Sequence, residues 1–181
     1  MEKNRTLFII AAILIAIAAL SRLAPHPPNM TPVTAIALFS AMYIRDTRIV
    51  FGLPLAALVI SDILLYLVQG TPIGLINLFV YLSFAVIVLL GFKLKQYFSL
   101  YMLATTTATG SITFFLITNL AVWLGWEMYP MTWEGLLQCY VAALPFLRNM
   151  VIGDFMYTGL IFGAYYLATK GVENCGNTSA A

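Results

Sequence analysis

The stretch from Ile49 to Val68 reads IVFGLPLAALVISDILLYLV and carries one charged side chain, Asp62. A helix needs about 20 mostly apolar residues to cross the roughly 30 Å hydrocarbon core of a bilayer, because each residue adds about 1.5 Å. This stretch has the required length and composition. We therefore predict that it crosses a membrane as an α-helix.

The rest of the chain has the same character. Of its 181 residues, 62% are hydrophobic and 9% are charged, with a formal net charge of +2. A soluble domain is about 45–50% apolar and about 25% charged, so a water-soluble fold and an intrinsically disordered chain are both excluded. The balanced charge offers no basic stripe for nucleic-acid phosphates, and we expect no nucleic-acid partner.

Five further apolar segments predict spans on either side of this one. Together the six give an all-α integral membrane bundle: Thr6 to Arg22, Pro32 to Ile44, Ile49 to Val68, Pro72 to Phe92, Tyr97 to Leu124, and Phe146 to Thr169. The second covers only about 20 Å, so it must be tilted, extended through Arg48, or packed inside the bundle. Thr132 to Leu144 is too short to span and predicts a short extra helix that leads into Pro145.

We expect a single transmembrane domain, residues 1–170, and a polar, disordered cytoplasmic tail, residues 171–181. Lys3 and Arg5 before the apolar run Leu7 to Leu20 also fit a cleavable secretory signal. Removal of that segment would leave five spans and the same class of protein.

Lysine and arginine in the short connections predict the orientation, because they are more frequent on the cytoplasmic side. With the N-terminus in the cytoplasm, the outer connections hold Arg22 and Arg148. The inner face then holds the others: Lys3, Arg5, Arg45, Arg48, Lys93, Lys95 and Lys170. We predict a multi-pass protein of the cytoplasmic (inner) membrane with both termini in the cytoplasm.

Strongly polar side chains inside the spans indicate a candidate site, since they are costly in hydrocarbon and usually face a cavity or another helix. Four fall in the outer half, about 8–12 Å from the outer helix ends: Asp62, Asn77, Asn119 and Asp154. Each has an aromatic residue one turn away on its own helix face: Tyr66, Tyr81, Trp123 and Tyr157, respectively. An outward-opening pocket of this kind would bury an apolar ligand body and fix its polar edge.

Residues at the outer helix ends extend this candidate pocket. Arg148 offers a planar donor fork to a carboxylate or phosphate. The first outer connection is stiffened by prolines and holds His26 and Asn29 on a rigid turn. The candidate substrate-binding residues are Asp62, Asn77, Asn119, Trp123, Arg148, Asp154, His26 and Asn29.

A structural interpretation of the same residues stays open. The asparagines can hydrogen-bond neighbouring helices, an aspartate can pair with Arg148, and tryptophan or tyrosine near helix ends commonly forms an interfacial belt. His26 then belongs to an ordinary solvated connector. Ala12 and Ala16 in the first span make a smooth face for close approach of another helix, either within the bundle or in a partner.

Several kinds of chemistry have no motif in this chain. There is no Gly-x-x-x-x-Gly-Lys-Ser/Thr phosphate loop, so any dependence on ATP must come from a partner. A single histidine excludes a bis-histidine haem and a His-Glu-x-x-His zinc site, and Cys139 and Cys175 lack a zinc spacing. Asp62 and Asp154 sit in no recognisable protease motif. We expect a non-enzymatic protein without metal or other cofactor.

Five segments carry a resemblance to known proteins: Pro25 to Phe39, Pro54 to Asp62, Phe114 to Trp123, Tyr129-Pro130, and Ala143 to Phe146. They resemble an uncharacterised family of small bacterial multispanning proteins, over nearly the whole chain. That family is similar to the substrate-binding S components of energy-coupling-factor (ECF) transporters in size, six spans, an alanine-rich first helix and the Ser61-Asp62 ending of the third span.

The resemblance to S components implies a six-helix protein that captures a vitamin or similar micronutrient from outside. It also implies docking through Ala12 and Ala16 onto a transmembrane coupling protein, with two ATPases supplying the energy, and outer connections that gate the pocket. No ligand-specific residue set carries over, so the substrate stays open. Two alternatives remain: a stand-alone proton-coupled transporter that uses Asp62 or Asp154 as a relay, and a structural membrane subunit without ligand.

Overall fold

A computed structural model describes residues 2–23, 27–125 and 127–178, with side chains described in residues 13–23, 27–125 and 127–169. Throughout this part of the chain the regular structure is helical, in six helices: α1 Glu2–Leu23, α2 Val33–Tyr43, α3 Thr47–Gln69, α4 Leu75–Gln96, α5 Leu100–Gly125 and α6 Trp133–Thr178. The prediction of an all-α chain with six helical segments is confirmed. Following the predicted orientation, we call the end that holds Gln69, Leu75 and Gly125 the outer end.

Four of the helices are long and apolar enough to cross a membrane: α3, α4, α5 and α6 as far as Thr169. This is consistent with a multi-pass membrane protein. The second predicted span is different, because α2 has 11 residues and is only about 16 Å long. Every residue from Val33 to Ala41 is buried. Of the three arrangements expected for this segment, the structure has the one in which it is packed inside the bundle, and it does not span.

The last turn of α1 and the first turn of α2 both lie well below the outer ends of the neighbouring helices. Arg22, at the end of α1, donates to the Leu58 carbonyl, about three turns or 16 Å below the end of α3. Thr34, at the start of α2, packs against Gly110, where an added Cβ would lie 3.4 Å from the threonine methyl. Gly110 is about four turns or 22 Å below the end of α5. The bundle is therefore open on its outer side.

The main hydrophobic core lies toward the inner end, around α2. Leu38, Ile87 and Val88 are fully buried there. Gly91 of α4 lets α2 approach closely, since a Cβ at this position would lie 2.5 Å from the Ala41 Cβ. The half-length helix thus fills the centre of the inner half and leaves the outer half to cavities and polar groups.

The prediction of a separate short helix before Pro145 is wrong, because Trp133–Thr178 is one helix that passes through this proline. The Tyr140 hydroxyl donates to the Leu116 carbonyl of α5, whereas Asp154, about four turns further along α6, meets Ser111, about one and a half turns down α5. The first part of α6 therefore runs obliquely over α5. Pro145 lies inside this interval, where a proline typically bends a helix.

The helix also includes residues 171–178 of the segment predicted as a disordered tail, and the boundary of that tail stays a prediction.

Replacing Gly91 by alanine tests the close packing of α2 on α4. We expect a loss of about 1–3 kcal/mol in unfolding free energy, because the new methyl meets a methyl that cannot rotate away. Thermal unfolding in detergent micelles, followed by circular dichroism, measures it. Gly163→Ala is the matched control, since a Cβ there meets nothing within 4 Å, and the double variant Ala41→Gly/Gly91→Ala should recover much of the loss. Equal unfolding temperatures for Gly91→Ala and Gly163→Ala would contradict the packing.

Candidate functional site

A buried ion pair joins α1 to α3 in the outer half of the bundle. The Arg22 Nη1 lies 2.7 Å from the Asp62 Oδ1. The same nitrogen donates to the Leu58 carbonyl at 3.4 Å and to the Ser61 hydroxyl. The Asp62 side chain is 3% exposed and that of Arg22 is 18% exposed, so the pair is largely shielded from solvent.

Two side chains from α4 complete the surroundings of Asp62. The Asn77 amide and the Tyr81 hydroxyl both donate to Oδ2, at 2.9 and 2.7 Å. Asn77 in turn accepts from the Gly74 N–H at 2.9 Å, which fixes the first turn of α4. A buried carboxylate is tolerated when its charge is paired and its lone pairs are used. Asp62 meets both conditions and ties α1, α3 and α4 together.

A second buried carboxylate, Asp154 of α6, lies deeper and is 2% exposed. The Ser111 hydroxyl donates to its Oδ2 at 2.6 Å, and Thr34 is within hydrogen-bonding reach. Ser111 is about four turns or 21 Å below the end of α5, so Asp154 sits near mid-depth, below the 12 Å expected from the sequence. Within the described part of the chain, no lysine or arginine forms an ion pair with it.

Three adjoining cavities lie among these groups. The deep cavity, about 250 Å³, is lined by Arg22 and Asp154 together with the rings of Phe84 and Phe114. The side cavity, about 330 Å³, is lined by Arg22, Asp62 and Asn77. The outer cavity, about 370 Å³, is lined by Asn119, Phe114, Tyr129 and Phe146. Leu65 borders the deep and side cavities, and Val80 borders the deep and outer cavities, so we treat the three as one outer site.

The connection before α2 closes part of this site. Asn29 lines both the deep and the outer cavity, with a φ of 64° in the left-handed region that asparagine tolerates better than most residues. Met30 packs directly on Gly153 of α6, where an added Cβ would lie 2.6 Å from the Met30 Cγ. The absence of a side chain at Gly153 therefore lets the connection sit low over the deep cavity.

The structure brings five of the eight predicted site residues to the cavities: Asn29, Asp62, Asn77, Asn119 and Asp154. Trp123 instead donates to the Pro130 carbonyl at 3.0 Å and holds the connection before α6. Arg148 is exposed and lines none of these cavities, and Asp62 pairs with Arg22 rather than with Arg148. His26 lies outside the described residues.

The predicted aromatic walls also need correction. Tyr66 is 56% exposed and lines none of the three cavities, and Tyr81 uses its hydroxyl on Asp62. Phenylalanine and Tyr129 provide the walls instead. Several polar residues of the site are absent from the prediction, among them Arg22, Thr34 and Ser111. The sequence does contain a signal for Arg22. It lies at the end of an apolar span, from where its long side chain can reach an aspartate such as Asp62 inside a neighbouring helix.

Comparison with known proteins gives one match. A family model described as "Family of unknown function (DUF6580)" matches residues 2–175. No curated protein and no solved structure matches the chain.

Replacing Asp62 by asparagine tests the buried pair. We expect a loss of about 3 kcal/mol or more in unfolding free energy, because the largely buried guanidinium loses its counter-charge. The double variant Arg22→Met/Asp62→Leu should recover most of this stability, since neither charge then remains. Denaturant unfolding in micelles gives the values. Arg148→Gln is the control and should stay within about 0.5 kcal/mol; a loss as large as that of Asp62→Asn would assign the pairing to the wrong arginine.

Proposed function

The chain belongs to the DUF6580 family of unknown function, and we propose that it is a membrane-embedded substrate-binding protein for uptake of a small molecule. The observation that carries this proposal is the outer site, to which all six helices or their connections contribute side chains. We propose binding and transport rather than catalysis, with no cofactor. The ligand class that suits the site is a vitamin or similar micronutrient.

The shape of the site supports binding. Ligand pockets are concave and mostly apolar, span about 300–1,000 Å³, and hold a few polar groups in fixed positions. The outer cavity has this character, with phenylalanine and aliphatic walls and the amide of Asn119 among them. The deep and side cavities add Arg22, Asp62 and Asp154 at its border. The outer cavity suits the apolar body of a ligand, and the deep and side cavities suit its polar edge.

The polar groups of the site are held in place before any ligand arrives. Asp62 already has three partners from two other helices, and Asn119 donates to the Phe115 carbonyl at 2.8 Å. A ligand that meets ordered groups does not have to restrict their rotamers, so less binding free energy is lost. The ordering of these groups supports the proposed binding site, although the contacts themselves are also those expected of helix packing.

We further propose that uptake is driven by a separate coupling protein and ATPases, as the resemblance to S components implies; this 181-residue sequence has no phosphate-binding loop, so the ATPases must be separate chains. An outward stripe of α1 supports a docking face: Ile13, Ala16, Ile17 and Leu20 are all exposed. The small side chain of Ala16 within this stripe permits close approach of another helix. Ala12 belongs to the part of α1 whose side chains are not described. The proposed location is the cytoplasmic membrane, with both termini in the cytoplasm.

A second candidate, a stand-alone proton-coupled transporter, is favoured by one observation. Asp154 is a buried carboxylate near mid-depth that borders a cavity, and ionisable residues at such positions mark proton relays in pumps and transporters. Proton-coupled uptake by liposomes that contain only this chain would favour it. Uptake that requires co-purifying ATPases would favour the binding protein.

Native mass spectrometry of the protein, gently purified in lipid nanodiscs, tests the binding site. We expect a retained small molecule on the unmodified chain and its loss from Val80→Trp, because Val80 borders both the deep and outer cavities. Leu82→Trp on the same helix is the control, since Leu82 is exposed on the outside of the bundle. A preparation that reproducibly retains nothing, or equal retention by both tryptophan variants, would contradict the proposal.

Replacing Ala16 by phenylalanine tests the docking face. We expect uptake by intact cells, and co-purification of the coupling protein, to fall severalfold while ligand retention by the isolated chain is unchanged, since Ala16 lines none of these cavities. Ala164→Phe, an exposed alanine of α6, serves as the control for bulk added to a lipid-facing surface. Equal uptake by the two variants would place the docking surface elsewhere.

A further inference from the structure

The charges around the outer site point to the chemistry of its ligand. Three charged side chains among the described residues line the cavities: Arg22, Asp62 and Asp154. Arg22 and Asp62 form an ion pair at 2.7 Å and neutralise each other. Among the residues that the structure describes, Asp154 is then the charged group of the lining without an ion-pair partner, and its carboxyl group carries a negative charge when it is ionised. Because charge interactions are strong where water is excluded, an ionised Asp154 attracts a cationic group to the deep cavity.

We propose that the deep cavity binds the cationic group of a small molecule, an ammonium or similarly protonated nitrogen, on the carboxylate of Asp154. This inference rests on the proposed function and narrows its ligand to one class. A neutral or anionic head group leaves the buried charge uncompensated, and an anionic one adds repulsion. A cationic head group compensates it and makes charge-assisted hydrogen bonds.

Asp154 has room for such a partner. An ionised carboxylate offers about four lone-pair positions, and the Ser111 and Thr34 hydroxyls use at most one each. The two hydroxyls hold the carboxylate at the border of the cavity. The hydrogen bonds of the described residues leave the remaining positions unused, and Asp154 is among the residues that line the deep cavity.

Aromatic rings supply a second feature that suits a cation. Phe84 and Phe114 line the deep cavity, with ring centroids 5.3 Å apart and an interplanar angle of 54°. A cation within about 6 Å of such a ring is attracted by its quadrupole, most strongly where it is desolvated. Phe114 also borders the outer cavity, so an apolar body attached to the cation can extend in that direction.

The positive charge of Arg22 does not remove the preference of the deep cavity for a cationic group. Its Nη1 is engaged by Asp62, Ser61 and the Leu58 carbonyl, and its charge is balanced by the aspartate. A structural role for Asp154 also exists, because a carboxylate at the first turn of α2 is stabilised by the partial positive charge of a helix N-terminus. The two roles make different predictions, since only ligand binding depends on the charge of an added probe.

Three probes of matched shape test the inference: 2-phenylethylamine, 2-phenylethanol and phenylacetate. Their affinities for the full chain in lipid nanodiscs are measured by calorimetry at one ionic strength. We expect the amine to bind about tenfold or more tightly than the alcohol, and phenylacetate to bind most weakly. Asp154→Asn should bring the amine and the alcohol within about twofold of each other, whereas Ser111→Ala keeps the charge and should keep the preference.

The outcomes separate this inference from the proposed function. Equal or tighter binding of the alcohol or of phenylacetate by the unmodified chain overturns the cation preference and leaves the binding site standing. A cation preference that survives in Asp154→Asn overturns the role of Asp154; if that variant does not fold, the unmodified chain decides by its order of affinities. Mass spectrometry of the retained molecule gives an independent result, because a molecule without a cationic group contradicts the inference. No binding of any probe and no retained molecule overturns both proposals.

Discussion

The ion pair between Arg22 and Asp62 determines where α1 ends relative to the rest of the bundle. An unpaired charge is costly in a hydrocarbon environment, and Asp62 is fixed inside α3, about two turns from its outer end. The arginine must therefore lie at this depth, and α1 ends there. Since α2 begins deeper still, the outer ends of α3, α4 and α5 extend beyond α1 and α2. A gap therefore lies between these outer ends. The cavities of the outer site occupy this gap.

Much of the fold follows from the sequence because length and apolar composition decide which segments are helical in a membrane. The sequence also shows that the second segment is too short to cross a bilayer as a straight helix. The continuity of α6 could not be predicted in the same way. Proline is allowed inside a membrane helix when neighbouring groups compensate for the lost hydrogen bond, and the sequence around Pro145 does not show those neighbours.

The sequence predicts the residue types of the candidate site but not which of these residues contact each other. Asp62, Asn77 and Asp154 stand out in apolar segments and are found at the cavities. Their partners depend on the relative heights of helices, which a single sequence does not specify. Arg22 follows the first apolar span, so its position in the sequence predicts a charge in the outer connection rather than inside the bundle. Ser111 was one of many hydroxyls in its helix, and only the oblique course of α6 brings Asp154 to it.

Gly153 has a consequence that reaches beyond its own contact with Met30. The volume of the deep cavity depends on how low the connection before α2 lies, and that height is limited by the steric clearance at a single position of α6. A side chain there would meet Met30 of the connection, whereas the Arg22–Asp62 pair lies on other helices. Under the proposed function, the residue that sets this clearance is therefore distinct from the residues that carry the charges, so that the capacity of the site and its chemical selectivity can change separately in evolution.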